Sequence, residues 1–223
     1  MKFKILKKRT TELDLTSLTD IIFLVLLFFM VGASIAPDAD IVLEHVGINP
    51  TRVGVINILK AMGGDLTLFN EREVGGEPVA DIRVRSAKLK GIHINEADVP
   101  LAIDEFPALF IAAACAEGTT VLTGAEELRV KESDRIQVMA DGLIALGVDA
   151  KPTPDGMIIQ GGQIGGGKVV SHGDHRIAMS FSIAALRANG TIEIEDCANV
   201  ATSFPNFVSL AKRAGLNIQV LEV

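Results

Sequence analysis

AAACAEGTTVLTG at 112 to 124 and AALRANGTIEIED at 184 to 196 follow one plan: an alanine-rich helix end, a short polar break, then a strand. The expected third copy falls on MVGASIAPDADIVLEH, 30 to 45. A second marker runs in step with the first. AMGGDL (61 to 66), ALGVDA (145 to 150) and RAGLNI (213 to 218) each bring a helix to a glycine, Gly63, Gly147 or Gly215, and lead on to a strand. Two markers in step predict three copies of one unit of roughly 70 to 85 residues, each with helix, strand, helix and further strands.

Working outward, strands are predicted at 41–46, 65–70, 81–86, 119–124, 156–161, 168–172, 191–196 and 217–222, several with period-two alternation. Helices are predicted at 49–63, with Asn49 as cap and Pro50 in the first turn, and at 106–118, 132–147, 174–190 and 204–215. The body is an α/β domain. The 223 residues are 48% hydrophobic and 22% charged, which is globular composition. A net charge of -7 with no Trp or Tyr sets nucleic-acid binding aside. Cys115 and Cys197 have neither disulfide-framework nor zinc-site spacing, and a reducing compartment fits.

Residues 1 to 36 differ from the rest. IIFLVLLFFMV (21 to 31) is continuously apolar, and from Leu15 to Ala36 the only charge is Asp20, enough helix to cross about 30 Å of hydrocarbon. Lys2, Lys4, Lys7, Lys8 and Arg9 precede it and no Lys or Arg follows until Arg52, which would hold the N-terminus in the cytoplasm and send the remainder outward. Two other readings compete: a cleaved signal peptide ending near GASIA (32 to 36), and the buried first helix of the first repeat. The bulk on every face favours the membrane over a packed helix.

Chemistry-bearing residues gather at two strand-to-helix junctions. LRVKESDR (128 to 135) sets Arg129, Lys131, Glu132, Asp134 and Arg135 at a helix start, where Ser133 or Asp134 would cap and the free N–H groups attract anions. A solvated charged helix start is the plainer reading, but Val130 within the run implies a definite facing. In SHGDHR (171 to 176), His175 and Arg176 open a helix, where the dipole disfavours cations unless an anion is bound. His172, Asp174 and His175 make only a weak metal set. His45 and His93 read as surface or strand-end residues. GGQIGGGK (161 to 168) satisfies GxxxxGK but continues into Val169 and a strand, so it reads as a surface hairpin, not a phosphate loop. In VPLAIDEFPALF (99 to 110), Asp104 and Glu105 interrupt an apolar run, either as cap and first-turn acid or as a carboxylate tuned for base chemistry.

In this order and spacing, VGINPTRVGVINILKAMGG, IDEFP, LRVKESDR, DHRIAMSF and ATSFPNF resemble the C-terminal half of the 5-enolpyruvylshikimate-3-phosphate synthase family over about residues 37 to 223. The resemblance implies two globular halves, each of three βαβαββ units, with the active site between them. It implies transfer of the enolpyruvyl group of phosphoenolpyruvate to the 5-hydroxyl of shikimate 3-phosphate in the cytoplasm, with no cofactor and no metal. It also implies roles. Asp104 is the base and a shikimate contact, Lys131 meets shikimate 3-phosphate, Glu132 moves protons, and Arg135 and Arg176 bind phosphoenolpyruvate with His175 beside them. Some members have lysine where Thr202 stands here. A complementary N-terminal half would supply the remaining substrate contacts.

TSLTDIIFLVLLFFM (16 to 30) is similar to the single transmembrane helix of the ExbD/TolR transport family, a resemblance over about residues 10 to 32 only, with Asp20 on that family's intramembrane carboxylate, although the usual preceding proline is absent. This resemblance implies a membrane-anchored transport component with a single-pass inner-membrane helix in residues 15 to 36 and Asp20 on a proton pathway. An anchor with the N-terminus inside would separate the domain from its cytoplasmic substrates. The join at FFMVGASIAPDAD, 28 to 40, also falls inside a repeat helix, so a chimeric or truncated reading frame accounts for both better than an anchored enzyme does.

Overall fold

The computed structural model describes residues 40 to 213 and 215 to 221. The apolar run, Asp20 and residues 15 to 36 therefore lie outside the described residues. Among the described residues, no helix is long and apolar enough to cross a membrane.

Among the described residues there are three separate sheets: β1 (Asp40–Gly47), β2 (Asp65–Val74) and β3 (Glu77–Arg85) in the order β1-β3-β2; β4 (Thr119–Leu122), β5 (Asp149–Thr153) and β6 (Gly156–Gln160) in the order β4-β6-β5; and β7 (Gly167–Val170) with β8 (Ile192–Glu195). The first two sheets are antiparallel and the third pair is parallel. The helices are α1 (Gly54–Ala61), α2 (Phe106–Cys115), α3 (Arg135–Ala145), α4 (His175–Ala184), α5 (Ala198–Ser203) and α6 (Phe207–Arg213). Residues Phe106 to Ala114 of α2 and Ile177 to Ala184 of α4 are buried throughout. They pack with α3 on one another while the sheets lie outside. A helix buried on every face carries apolar and small residues all round, as α2 does.

The repeat is visible in hydrogen bonds. At each marker glycine the same pair closes the helix: Gly64 N–H to Leu59 and Gly63 N–H to Lys60, Val148 to Leu143 and Gly147 to Ile144, Leu216 to Ala211 and Gly215 to Lys212. This is a Schellman ending, and its left-handed residue is the marker glycine each time, at φ 90°, 81° and 102°. The strand–helix–strand marker recurs too. Lys90 and His93 pair in parallel with Glu117 and Val121 across α2, and β7 pairs in parallel with β8 across α4.

Several elements differ from those predicted. GGQIGGGK does not form a hairpin: Gly167 and Lys168 begin β7, whose partner β8 arrives only after α4. The segment 217–222 forms no strand within its described residues, and Val220 and Leu221 are exposed. Residues 149–153 form β5, which DAKPT conceals because Pro152 and two charged residues mask any alternation. The strands predicted at 65–70 and 81–86 are longer and joined by a two-residue turn, Gly75–Gly76.

The first sheet has a pinned distortion. Both edge strands slip register, β1 between Leu43 and Val46 and β2 between Phe69 and Arg72. His45 (φ 62°) and Asn70 (φ 54°) are left-handed at these slips. Buried Asp81 on the central strand holds both, accepting from His45 N at 2.8 Å, Asn70 Nδ2 at 2.8 Å and Arg72 Nη1 at 3.2 Å. His45 is thus a half-buried residue at the slip inside β1, not at a strand end, with its ring Nδ1 3.2 Å from Arg72 Nη2. Burial pushes the Asp81 carboxyl up, but the three donors outweigh it and the pKa lies below its ordinary value. Its folded pKa being depressed, Asp81 stabilises the fold above the ordinary aspartate range, and that contribution fades as pH falls through the lowered value. Asp81→Ala is expected to cost about 2 to 4 kcal/mol by orphaning donors and releasing two strained residues. Urea unfolding followed by circular dichroism checks this, and the gap between variant and wild type should shrink on acidification.

Candidate functional site

The charged motifs meet at Asp104. Two 3-10 turns, Glu96–Asp98 and Pro100–Ala102, carry the chain to it just before α2. They are held by close packing on α1, where a Cβ on Gly54 would lie 2.6 Å from Asp98 O and Leu101 C. Glu105, at the start of α2, makes no side-chain capping bond. The Asp104 carboxylate is turned to a ring of cations.

Arg135 Nη1 lies 3.3 Å from Asp104 Oδ1 and Lys131 Nζ 3.9 Å from the same oxygen. Arg176 Nη2 is 3.9 Å and Arg52 Nη1 3.8 Å from Oδ2. Arg176 Nη1 also donates to the Asp104 backbone oxygen at 3.0 Å. Only the Arg135 contact approaches hydrogen-bond length; the other three are looser charge contacts around one carboxylate.

Arg135 is fully buried, which a guanidinium tolerates only when its donors are matched. Its Nε donates to Asp174 Oδ2 at 2.8 Å and its Nη2 to Glu132. Asp174, equally buried, also accepts from Ser133 Oγ at 3.2 Å and caps α4 through Arg176 N at 2.9 Å and Ile177 N at 3.4 Å. One carboxylate thus ties the 128–135 motif to the 171–176 motif. The anion that the sequence demands at this helix start is in part Asp174 itself.

Of the residues expected from sequence, Asp104, Lys131, Glu132, Arg135 and Arg176 come together. His175 is the half-buried first residue of α4. Asp134 caps α3 by accepting from Gln137 N at 3.0 Å. Arg129 turns away, bonded to Asp134 and to the carbonyls of Thr153 and Pro154. Val130 does not anchor the run: it is 80% exposed, because the turn Glu126–Val130 buries Leu128 instead. Thr202 is exposed on α5. Sequence reasoning missed Arg52, a lone basic residue in a short turn with no local signal of its partner.

Among the described residues, no group of three or more His, Cys, Asp or Glu side chains could hold a metal ion. Both cysteines are free, and burial pushes the Cys115 thiol up to about 11, which leaves it protonated at neutral pH.

A family model described as EPSP synthase (3-phosphoshikimate 1-carboxyvinyltransferase) matches residues 25–210, so the match begins inside the apolar run. A 3-phosphoshikimate 1-carboxyvinyltransferase of Methylococcus capsulatus is 72% identical over 193 residues, covering 86% of this chain and 44% of the relative. One from Alkalilimnicola ehrlichii is 72% identical over 190 residues, covering 85% and 43%. The solved EPSP synthase of Acinetobacter baumannii superimposes with TM-score 0.85 at 64% identity, over 90% of this chain and 47% of that one. The enolpyruvyl transferase NikO of Streptomyces tendae matches with TM-score 0.61 at 17% identity, a likeness of fold. The chain spans a little under half the length of the curated relatives it matches. None of these comparisons supports the ExbD/TolR resemblance of residues 10 to 32. The α/β fold and the matches over most of its length agree: the chain belongs to the EPSP synthase family.

Proposed function

We propose that residues 37 to 223 are the C-terminal half of an enolpyruvyl transferase, acting on phosphoenolpyruvate and shikimate 3-phosphate when a complementary N-terminal half closes over the Asp104 face. The observation that carries this is one carboxylate within 3.3 to 3.9 Å of four cations. The reaction joins two phosphate-bearing anions, so its site needs cations for their oxyanions and a carboxylate for proton transfer.

Asp104 takes the proton of the 5-hydroxyl as that oxygen attacks C2 of phosphoenolpyruvate, and Glu132 delivers a proton to the methylene carbon, giving a tetrahedral intermediate. Glu132, left as a carboxylate, then takes a proton back from that methyl group as inorganic phosphate leaves, which restores the double bond. Lys131 holds the phosphate of shikimate 3-phosphate. Arg135 and Arg176 hold phosphoenolpyruvate, with His175 beside them, and guanidinium forks suit both carboxylate and phosphate. No metal or cofactor takes part. Asp104 also keeps the cations together until substrate oxyanions replace it, which the loose contacts of Lys131, Arg176 and Arg52 permit. The family's cytoplasmic setting follows from these substrates. The alternative, an anchored transport component using Asp20, has only the sequence of residues 15 to 36 behind it.

The chain alone is expected to release no phosphate from the substrate pair, because orientation by the other half's contacts supplies several kcal/mol of the barrier. Adding the N-terminal half of a full-length relative should bring turnover. Turnover by the chain alone at an intact enzyme's rate, or none in any mixture, sinks the reading.

A further inference from the structure

Arg52 differs from the other cations around Asp104 in origin and in exposure. It comes from the first unit, at the end of the turn Pro50–Arg52, whereas Lys131, Arg135 and Arg176 belong to the two charged motifs. That turn is held firmly. Asn49 Oδ1 accepts from Thr51 N at 3.0 Å and Thr51 Oγ1 at 2.8 Å, and Asn49 Nδ2 donates to Glu77 at 3.2 Å. Gly54, two residues on, is pressed against Asp98 and Leu101, which seats the turn beside the segment leading to Asp104.

Side-chain exposure rises outward through the cluster: Arg135 0%, Arg176 15%, Lys131 22%, Arg52 54%. Arg52 is therefore the outermost cation of the ring. Among the described residues its guanidinium meets only Asp104, at 3.8 Å, beyond hydrogen-bond length. A half-exposed guanidinium anchored beside a carboxylate it does not hydrogen-bond has its donor fork available to an incoming oxyanion, and carboxylate and phosphate fit that fork.

We infer that Arg52 is a further substrate-binding residue, contributed by the first unit, that takes a phosphate or carboxylate oxyanion at the mouth of the site. The half-site then draws on all three repeats: Arg52 from the first, Asp104, Lys131 and Arg135 from the second, Arg176 from the third. The identity of the substrate rests on the transferase reading, while the anion contact rests on geometry alone.

The test is titration of the full chain with inorganic phosphate at low salt, followed by phosphorus NMR, for wild type, Arg52→Gln, Arg52→Lys and a control, Arg85→Gln. Arg85 is an exposed cation on β3 that faces Asp40 and Asp65. Loss of one charge-assisted contact should raise the phosphate Kd about tenfold or more in Arg52→Gln. Arg52→Lys should fall between, and Arg85→Gln should match wild type. Thermal unfolding by circular dichroism confirms that the variants are folded. Arg52→Gln binding phosphate as wild type does, Arg85→Gln weakening it equally, or no phosphate binding by wild type would each overturn the inference. The transferase reading fails separately: a selective Arg52→Gln defect with no turnover in any mixture of halves keeps the anion contact and removes the chemistry.

Discussion

Asp104→Asn should lower the turnover of mixed halves by about 10² to 10⁴, the usual contribution of a positioned general base. Asparagine fills the same space and keeps its one oxygen toward one pair of cations, Arg135 and Lys131 or Arg176 and Arg52, while its NH2 group faces the other pair, and it cannot hold the hydroxyl proton. Binding should respond in the opposite sense. The carboxylate lies among four cations and competes with an incoming anion for them, so removing its charge should leave phosphate binding intact or tighten it. Rate and affinity moving apart is the signature of a base, since a residue that only organises the pocket would lower both. The measurement is initial phosphate release by the mixed halves beside phosphate titration of the chain. Equal turnover in both mixtures, or matched losses of turnover and anion binding, would take the catalytic role from Asp104.

The sequence and the structure agree most closely where a local interaction sets the outcome. Gly63, Gly147 and Gly215 announce the repeat because a Schellman ending requires a left-handed residue, and the first two are followed two residues later by the strands β2 and β5. The charged motifs were legible as helix starts for the same reason: Asp134 and Asp174 satisfy N–H groups two or three residues away. Legibility ends where the partner is distant. β7 looks like half of a hairpin until α4 has delivered β8 beside it. Residues 217–222 alternate like a strand, yet alternation describes a face, and a strand also needs a neighbour to pair with. Val130 shows the same limit in one side chain: between Arg129 and Lys131 it implies a definite facing of the run, but it is exposed and the turn buries Leu128 instead. Arg52 carries no local pattern, because its link to Asp104 exists only once the first unit packs on the second.

The network beneath the site sets the largest expected stability effect. Arg135 and Asp174 are both fully buried and bonded at 2.8 Å, so neither ion has water to fall back on. Arg135→Met should cost about 3 to 5 kcal/mol, since it leaves Asp174 a buried carboxylate with its main cation gone. That is a large share of the 5 to 15 kcal/mol by which domains are typically stable. Asp174→Asn should cost nearly as much, because it strands the guanidinium, although an asparagine oxygen can still cap α4. The pair changed together should cost much less than the sum, because removing both charges removes the desolvation penalty along with the attraction. Urea unfolding by circular dichroism gives the cycle, as the chain has no Trp or Tyr to report by fluorescence. An additive double variant would mean that each charge is compensated by other groups. The contact between the two motifs would then be incidental, and Ser133, Glu132 and the helix start would have to position Arg135 without Asp174.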